Sequence, residues 1–358
     1  MSTTYETAKP VSVTLEQLQN GSIDHCTLVE AFGPDSLGII VVTGLPSKFI
    51  PLRKRILSYA THLGNLSPEE LKGLEHPEAK YLVGWSCGKE MLANNRADTL
   101  KGSYYVNCAF YKDPELNGAE GNYPNLPEYT KGNIWPREEL LWGFKETVQE
   151  MCILVIDTAV LVARACDIYA EKHVEGYQKG YLEHVVKASS TTKARLLHYF
   201  PPPTLENGQA EDDNELDNWC GIHKDHGCLT GLTSAMYVDE DSQPINMANG
   251  VELDELPDAP DSAAGLYIKS RTDQIYKVGI PKDALAFQTG EALEVITEGK
   301  FKAVPHFVRG CRAKLARGVA RNTIAVFTQP NLYDMVDKTR DFATFAKAVV
   351  EQNTTEGV

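Results

Sequence analysis

No run of about 18 or more apolar residues occurs in the 358-residue chain, so no segment reads as a membrane-spanning helix. The opening residues, MSTTYETAKPVSV, lack the apolar stretch of a secretory signal, and a cytoplasmic location is expected. Basic charge is in deficit. Lys and Arg number 35 against 49 Asp and Glu, a net charge of −14, which argues against a binder of nucleic-acid backbones. None of the eight cysteines forms a C-x-x-C pair, which argues against a zinc ribbon, and a chain this long needs no disulfide framework. Internal repeats are absent. The remaining composition, 42% hydrophobic and 23% charged, is that of a globular protein able to bury a sizeable core.

Residues 12–32 show helical spacing, and Gly38-Ile-Ile-Val-Val-Thr-Gly44 reads as a buried strand closed by a turn. A further helix is expected over 48–64. The stretch 70–135 is irregular and reads as long loops. From Asn133 and Pro136 a helix is expected to run to about residue 172, with Leu141, Phe144, Val148, Met151, Val155, Thr158, Val162 and Cys166 as its core stripe. After residue 190 the pattern turns to short β-type runs: 194–200, 228–238, 264–270, 274–280, 284–288, 293–297, 301–308 and 321–328. These predict a sandwich or jelly roll. The acidic segments 204–218 and 240–262 read as exposed insertions. The expected class is α+β with a mainly β core. Residues 1–135 would form an N-terminal mixed part with substrate-lid loops, 136–190 a backbone-helix region, 191–335 the catalytic core and 336–358 a C-terminal helix or tail.

One spacing carries chemistry. His223-Lys224-Asp225 places an imidazole and a carboxylate at i and i+2, on one face of a strand. With a third ligand from a distant run, such as His306, they meet what iron(II) oxygen chemistry needs: three protein ligands and open positions for co-substrate and O₂. An H-x-D alone is as readily a surface pair, and Asp225-His226 is a second way to pair ligands; strand alternation disfavours His226. His25, His62, His76, His173 and His184 lie in helical or loop contexts. Arg321 and Thr323 likewise share a face, and a guanidinium fork with a neighbouring hydroxyl suits the distal carboxylate of a dicarboxylic co-substrate.

Together these residues resemble the 2-oxoglutarate/Fe(II)-dependent dioxygenase superfamily, in its isopenicillin N synthase-like branch. The resemblance rests on Leu37–Gly44, Leu196-Leu-His-Tyr-Phe-Pro201, His223-Lys-Asp-His-Gly-Cys-Leu-Thr230, Ala264–Tyr267, Gln288–Glu294, His306 and Arg321-x-Thr323, in the family's order over residues 30–335. It implies a distorted double-stranded β-helix, with His223, Asp225 and His306 on Fe(II) and Arg321 and Thr323 on 2-oxoglutarate. It further implies an O₂-dependent oxidation of a small metabolite, as in secondary metabolism: hydroxylation, desaturation or oxidative cyclisation, with succinate and CO₂ released. The pattern departs from the family in three places. Thr323 stands where Ser is usual. The interval from His306 to Arg321 is long and holds Arg309, Arg312 and Arg317, any of which offers another clamp. His198 and Phe200 stand where Asn and Tyr are usual, so a co-substrate bond from position 200 is lost and His198 is expected to replace part of it.

For the substrate, the expected contacts are Trp85, Lys89, Tyr104, Tyr105 and Phe200, the first four from the lid region 81–108; packing of the N-terminal part is the alternative role of Trp85 and the tyrosines. The basic cluster of Arg309, Arg312, Lys314 and Arg317 suggests an anionic substrate, a carboxylate or amino-acid derivative, or else a solvated loop. No nucleic-acid or membrane partner is expected, and oligomeric state is not specified. Two other functions stay open: an oxidase of the same fold that does not use 2-oxoglutarate, and a non-catalytic jelly-roll binding protein.

Overall fold

Two strands at the N-terminus, β1 Glu6–Ala8 and β2 Val11–Thr14, are separated only by Lys9-Pro10, yet they join different sheets. The computed structural model describes residues 5–89, 98–203, 220–245 and 251–355. After β2 come α1 Leu15–Gln19, α2 His25–Phe32, β3 Ile39–Thr43, α3 Phe49–Gly64, α4 Pro68–Gly73, β4 Gly84–Cys87, β5 Lys101–Asn107 and α5 Pro127–Thr130. Then follow α6 Phe144–His173, α7 Tyr181–Lys187, β6 Lys193–Tyr199, β7 Cys220–His223, β8 Leu229–Thr233, β9 Met236–Asp239, β10 Gly265–Lys269 and β11 Ile275–Val278. The chain closes with β12 Leu285–Thr289, α8 Glu291–Ile296, β13 His306–Arg309, β14 Val319–Thr328 and α9 Phe342–Thr355.

A larger sheet runs β2-β3-β12-β8-β14-β6-β5-β4, with β9 also paired to β14, and a smaller one runs β1-β11-β10-β13-β7. Pairing is antiparallel except for β1 with β11 and β2 with β3. Side-chain alternation divides β3 between two cores. Ile40 and Val42 join the main core on the helix side, with α3 and α6, whereas Ile39 and Val41 pack with Ile268, Val278 and Ala286 between the sheets. Helix α6 lies close on the larger sheet because Gly231 has no side chain; a Cβ there would stand 2.3 Å from Val155 Cγ1.

The stripe expected on the long helix is buried as read, but the helix begins at Phe144. Gly143, at φ 71°, turns the chain there through the left-handed region that glycine tolerates. The run 293–297 is not a strand. Glu291-Ala-Leu-Glu-Val-Ile are mostly strong helix formers, and as α8 they bury Ala292, Leu293 and Ile296 on one face. The expected loop region also contains β4 and β5, and every residue of β5 is buried. Of the two acidic segments, 204–218 and residues 246–250 lie outside the described residues. Residues 251–262 are not a free insertion. Glu255 takes both Arg53 nitrogens at 2.9 Å, and the fully buried Asp261 is gripped by Arg312 at 2.8 and 2.9 Å.

Candidate metal centre and its pocket

His223 and His306 are directly opposed in the β7–β13 ladder, with ring centroids 4.4 Å apart. Asp225 lies two residues beyond β7. Its Oδ1 is 3.7 Å from His223 Nε2 and its Oδ2 is 3.9 Å from His306 Nε2. One candidate ligand atom from each of the three falls within 4.8 Å of the others. Backbone carbonyls face the remaining ring nitrogens: Gly221 O is 2.7 Å from His223 Nδ1, and Val304 O is 3.4 Å from His306 Nδ1. That arrangement suits protons on Nδ1 and leaves both Nε2 lone pairs facing the carboxylate.

Thr230 Oγ1 donates to Asp225 Oδ2 at 2.6 Å, and the Glu291 N–H donates to the Asp225 carbonyl. Burial alone would raise the Asp225 carboxyl, but His306, His223 and the Thr230 bond hold it below its ordinary value. Burial and the neighbouring His223 push His306 down to about 4, leaving a neutral imidazole. His226 points elsewhere, although β7 ends at His223 and strand alternation does not reach it: its Nε2 meets the Tyr129 hydroxyl at 3.2 Å and its ring stacks on Phe342.

The three groups line a cavity of about 380 Å³ walled by both sheets. Arg321 and Thr323 enter it from β14. The Arg321 guanidinium lies 5.0 Å over the Tyr199 ring, and Tyr237 lines the same cavity. None of Arg309, Arg312, Lys314 and Arg317 lines this cavity; Arg312 is committed to Asp261, and Arg317 is exposed.

His198 is a correction. In the β6–β14 register it stands opposite Asn322, on the face away from Arg321 and Thr323. Its Nδ1 meets Asn322 Oδ1 at 2.8 Å, and its ring packs so tightly on α3 that a Cβ on Gly64 would be 2.4 Å away. Burial pushes it down to about 4, so it stays neutral. Phe200 packs edge-on against His198 and joins the main core, also off the cavity. The β6 residues that do face the cavity are Arg195, Leu197 and Tyr199. They belong to the alternate set, which pairing with β14 would have identified.

Most of the expected substrate contacts also fall elsewhere. Trp85 and Tyr104 are buried in the main core, Tyr104 donating to the Ile134 carbonyl. Lys89 pairs with Glu75 at 3.6 Å over the Tyr81 ring, away from the cavity. Of these residues only Tyr105 shares a face of β5 with Ser103, directly opposite Arg195, and it does not itself line the cavity. The remainder of the Gly84–Glu90 motif and of the lid, residues 90–97, lies outside the described residues.

No protein-family model matches the chain, and no curated protein sequence matches it. Solved structures do. T7H of Neurospora crassa in complex with alpha-KG and thymine is 18% identical, with 96% of this chain and 97% of that one covered at a TM-score of 0.63. A dioxygenase for auxin oxidation in rice is 13% identical, with 97% and 96% covered at 0.56. JOX2 in complex with 2OG, Fe and JA is 12% identical, with 92% and 77% covered at 0.55. Among the described residues no helix is long and apolar enough to cross a membrane. The chain has the fold of the 2OG-Fe(II) oxygenases of known structure.

Proposed function

We propose that this protein is a non-haem iron(II), 2-oxoglutarate-dependent oxygenase that oxidises a C–H bond of a small metabolite. The two facing sheets are read as its distorted double-stranded β-helix. The carrying observation is that His223, Asp225 and His306 converge in the same cavity that Arg321 and Thr323 enter. Two imidazoles and one carboxylate fit iron(II), because they leave coordination positions open. When bound, iron with 2-oxoglutarate and O₂ supplies an oxidation in which the co-substrate becomes succinate and CO₂.

The chain's own residues bind, orient and exclude water. Arg321 and Thr323 hold the distal carboxylate, with the Tyr199 ring beneath the fork. Thr230 keeps the Asp225 carboxylate in one orientation. Leu197, Leu232, Ala325 and Phe327 give the cavity apolar walls. The test is anaerobic addition of iron(II) and 2-oxoglutarate, watching for the weak visible charge-transfer band of a chelated co-substrate. Band and O₂-dependent succinate release are expected. Iron uptake without the band would replace this reading by an oxidase of the same fold that uses no 2-oxoglutarate.

A further inference from the structure

The cavity holds a second arginine that the co-substrate reading does not use. In the β6–β14 ladder Arg321 stands opposite Tyr199 and Ala325 opposite Arg195. Four residues of strand, about 13 Å, therefore separate the two arginine levels. The candidate ligands lie at the Arg195 end. Asp225 is held by Thr230, which pairs with Phe327, two residues beyond Ala325. Arg195 thus stands near the metal's level but one strand, about 5 Å, to the side of β14, off the line from the metal to Arg321.

Its guanidinium is preset. Nε and Nη2 donate to Ser103 Oγ at 3.1 and 2.8 Å, and the guanidinium carbon sits 4.9 Å over the Tyr105 ring. Both supports come from β5, the next strand of the sheet. A fork braced in this way loses little freedom when it grips a planar anion. The walls around it, Leu197, Leu232, Ala325 and Phe327, are apolar.

We infer that the substrate is an organic carboxylate with an apolar body, and that Arg195 grips its carboxylate while the body lies along Leu197 and Phe327 toward the metal. The inference rests on the oxygenase reading above. A role confined to tying β6 to β5 through Ser103 is the alternative, and it makes no demand on ligand charge.

The experiment uses the full chain with iron(II) and 2-oxoglutarate under anaerobic conditions, and reads displacement of the charge-transfer band. The probes are a panel of alkyl- and aryl-substituted carboxylic acids, each beside its primary amide. Acids are expected to shift the band and amides to fail. Arg195→Gln should weaken the acid about tenfold or more, and Arg195→Lys should recover part of that loss. Ser103→Ala, which removes only the brace, should give a smaller loss of the same kind. Absence of the band in the wild type sinks the oxygenase reading itself. With the band present, the inference is overturned by amides acting as well as acids, or by no acid acting. It is overturned too if a folded Arg195→Gln binds acids normally, or loses 2-oxoglutarate in place of the acid.

Discussion

His223 and His306 face each other across one rung of the β7–β13 ladder, so a single strand pairing sets the separation of two candidate metal ligands. Asp225 completes the set from just past the strand end, where Thr230 holds it. This geometry makes the ligand assignment directly testable.

His306→Ala should abolish stoichiometric binding of iron(II), or of cobalt(II) used as a spectroscopic substitute. His226→Ala should retain most of it, since His226 is turned toward Tyr129 and Phe342. Equilibrium titration of both variants decides the matter, and the reverse ranking would overturn the assignment.

Thr230→Val removes the 2.6 Å bond to Asp225 at nearly constant volume. A lost orienting bond of this kind lowers metal affinity about 10- to 100-fold. Metal affinity and thermal stability should be measured together. Unchanged affinity would show that Asp225 needs no such support.

Arg321→Ala should raise the 2-oxoglutarate requirement by about 100-fold, the scale of a lost charge-assisted pair. Arg312→Ala should instead destabilise the fold, because it strands the fully buried Asp261. Titration of the charge-transfer band separates the two effects; a raised requirement in Arg312→Ala alone would move the clamp.

Behind the clamp, Glu240 approaches His198 Nε2 at 3.6 Å, and Asn65 donates to it at 3.3 Å. Burial pushes its carboxyl up to about 7 against bonds from Thr61 and Asn65 that lower it. From about 4.5 to 7 the folded state then holds more protons than the unfolded chain, so the Glu240 contribution to stability falls as pH rises through that window. Relative to Glu240→Gln, the wild type should lose on the order of 2 kcal/mol across it. Denaturant melts at several pH values check the sign, and parallel curves would refute it.

Part of the candidate site is legible from spacing. Arg321-x-Thr323 shares a face of β14, whereas Asp225 falls just past the end of β7 and not on a strand face with His223; all four residues line the same cavity. What failed was parity. Leu196-Leu-His-Tyr-Phe-Pro201 does not say which alternate residues face inward, and only the pairing of Arg321 with Tyr199 settles it. His198 and Phe200 therefore changed sides, while Arg195 and Tyr199 went unnoticed. Glu291–Ile296 failed differently. Six residues are too few for periodicity to separate a helix from a strand, and packing decides. Acidic composition also misled at 251–262, where Glu255 and Asp261 are bound by arginines distant in sequence.

The crossing at Lys9-Pro10 has a mechanical consequence. By sending β1 to one sheet and β2 to the other, it stitches the sandwich along one margin, since each strand ends its sheet. A sandwich sewn on one side can part only on the other, and β7, which carries His223, is the last strand there. Iron held by His223 on that free margin, His306 on the neighbouring strand β13 and Asp225 just past β7 would pin the edge strand to its own sheet. Slower backbone hydrogen exchange over Cys220–His223 in the metal-loaded protein, with β1 and β2 unchanged, is the signature of an edge strand that metal fastens.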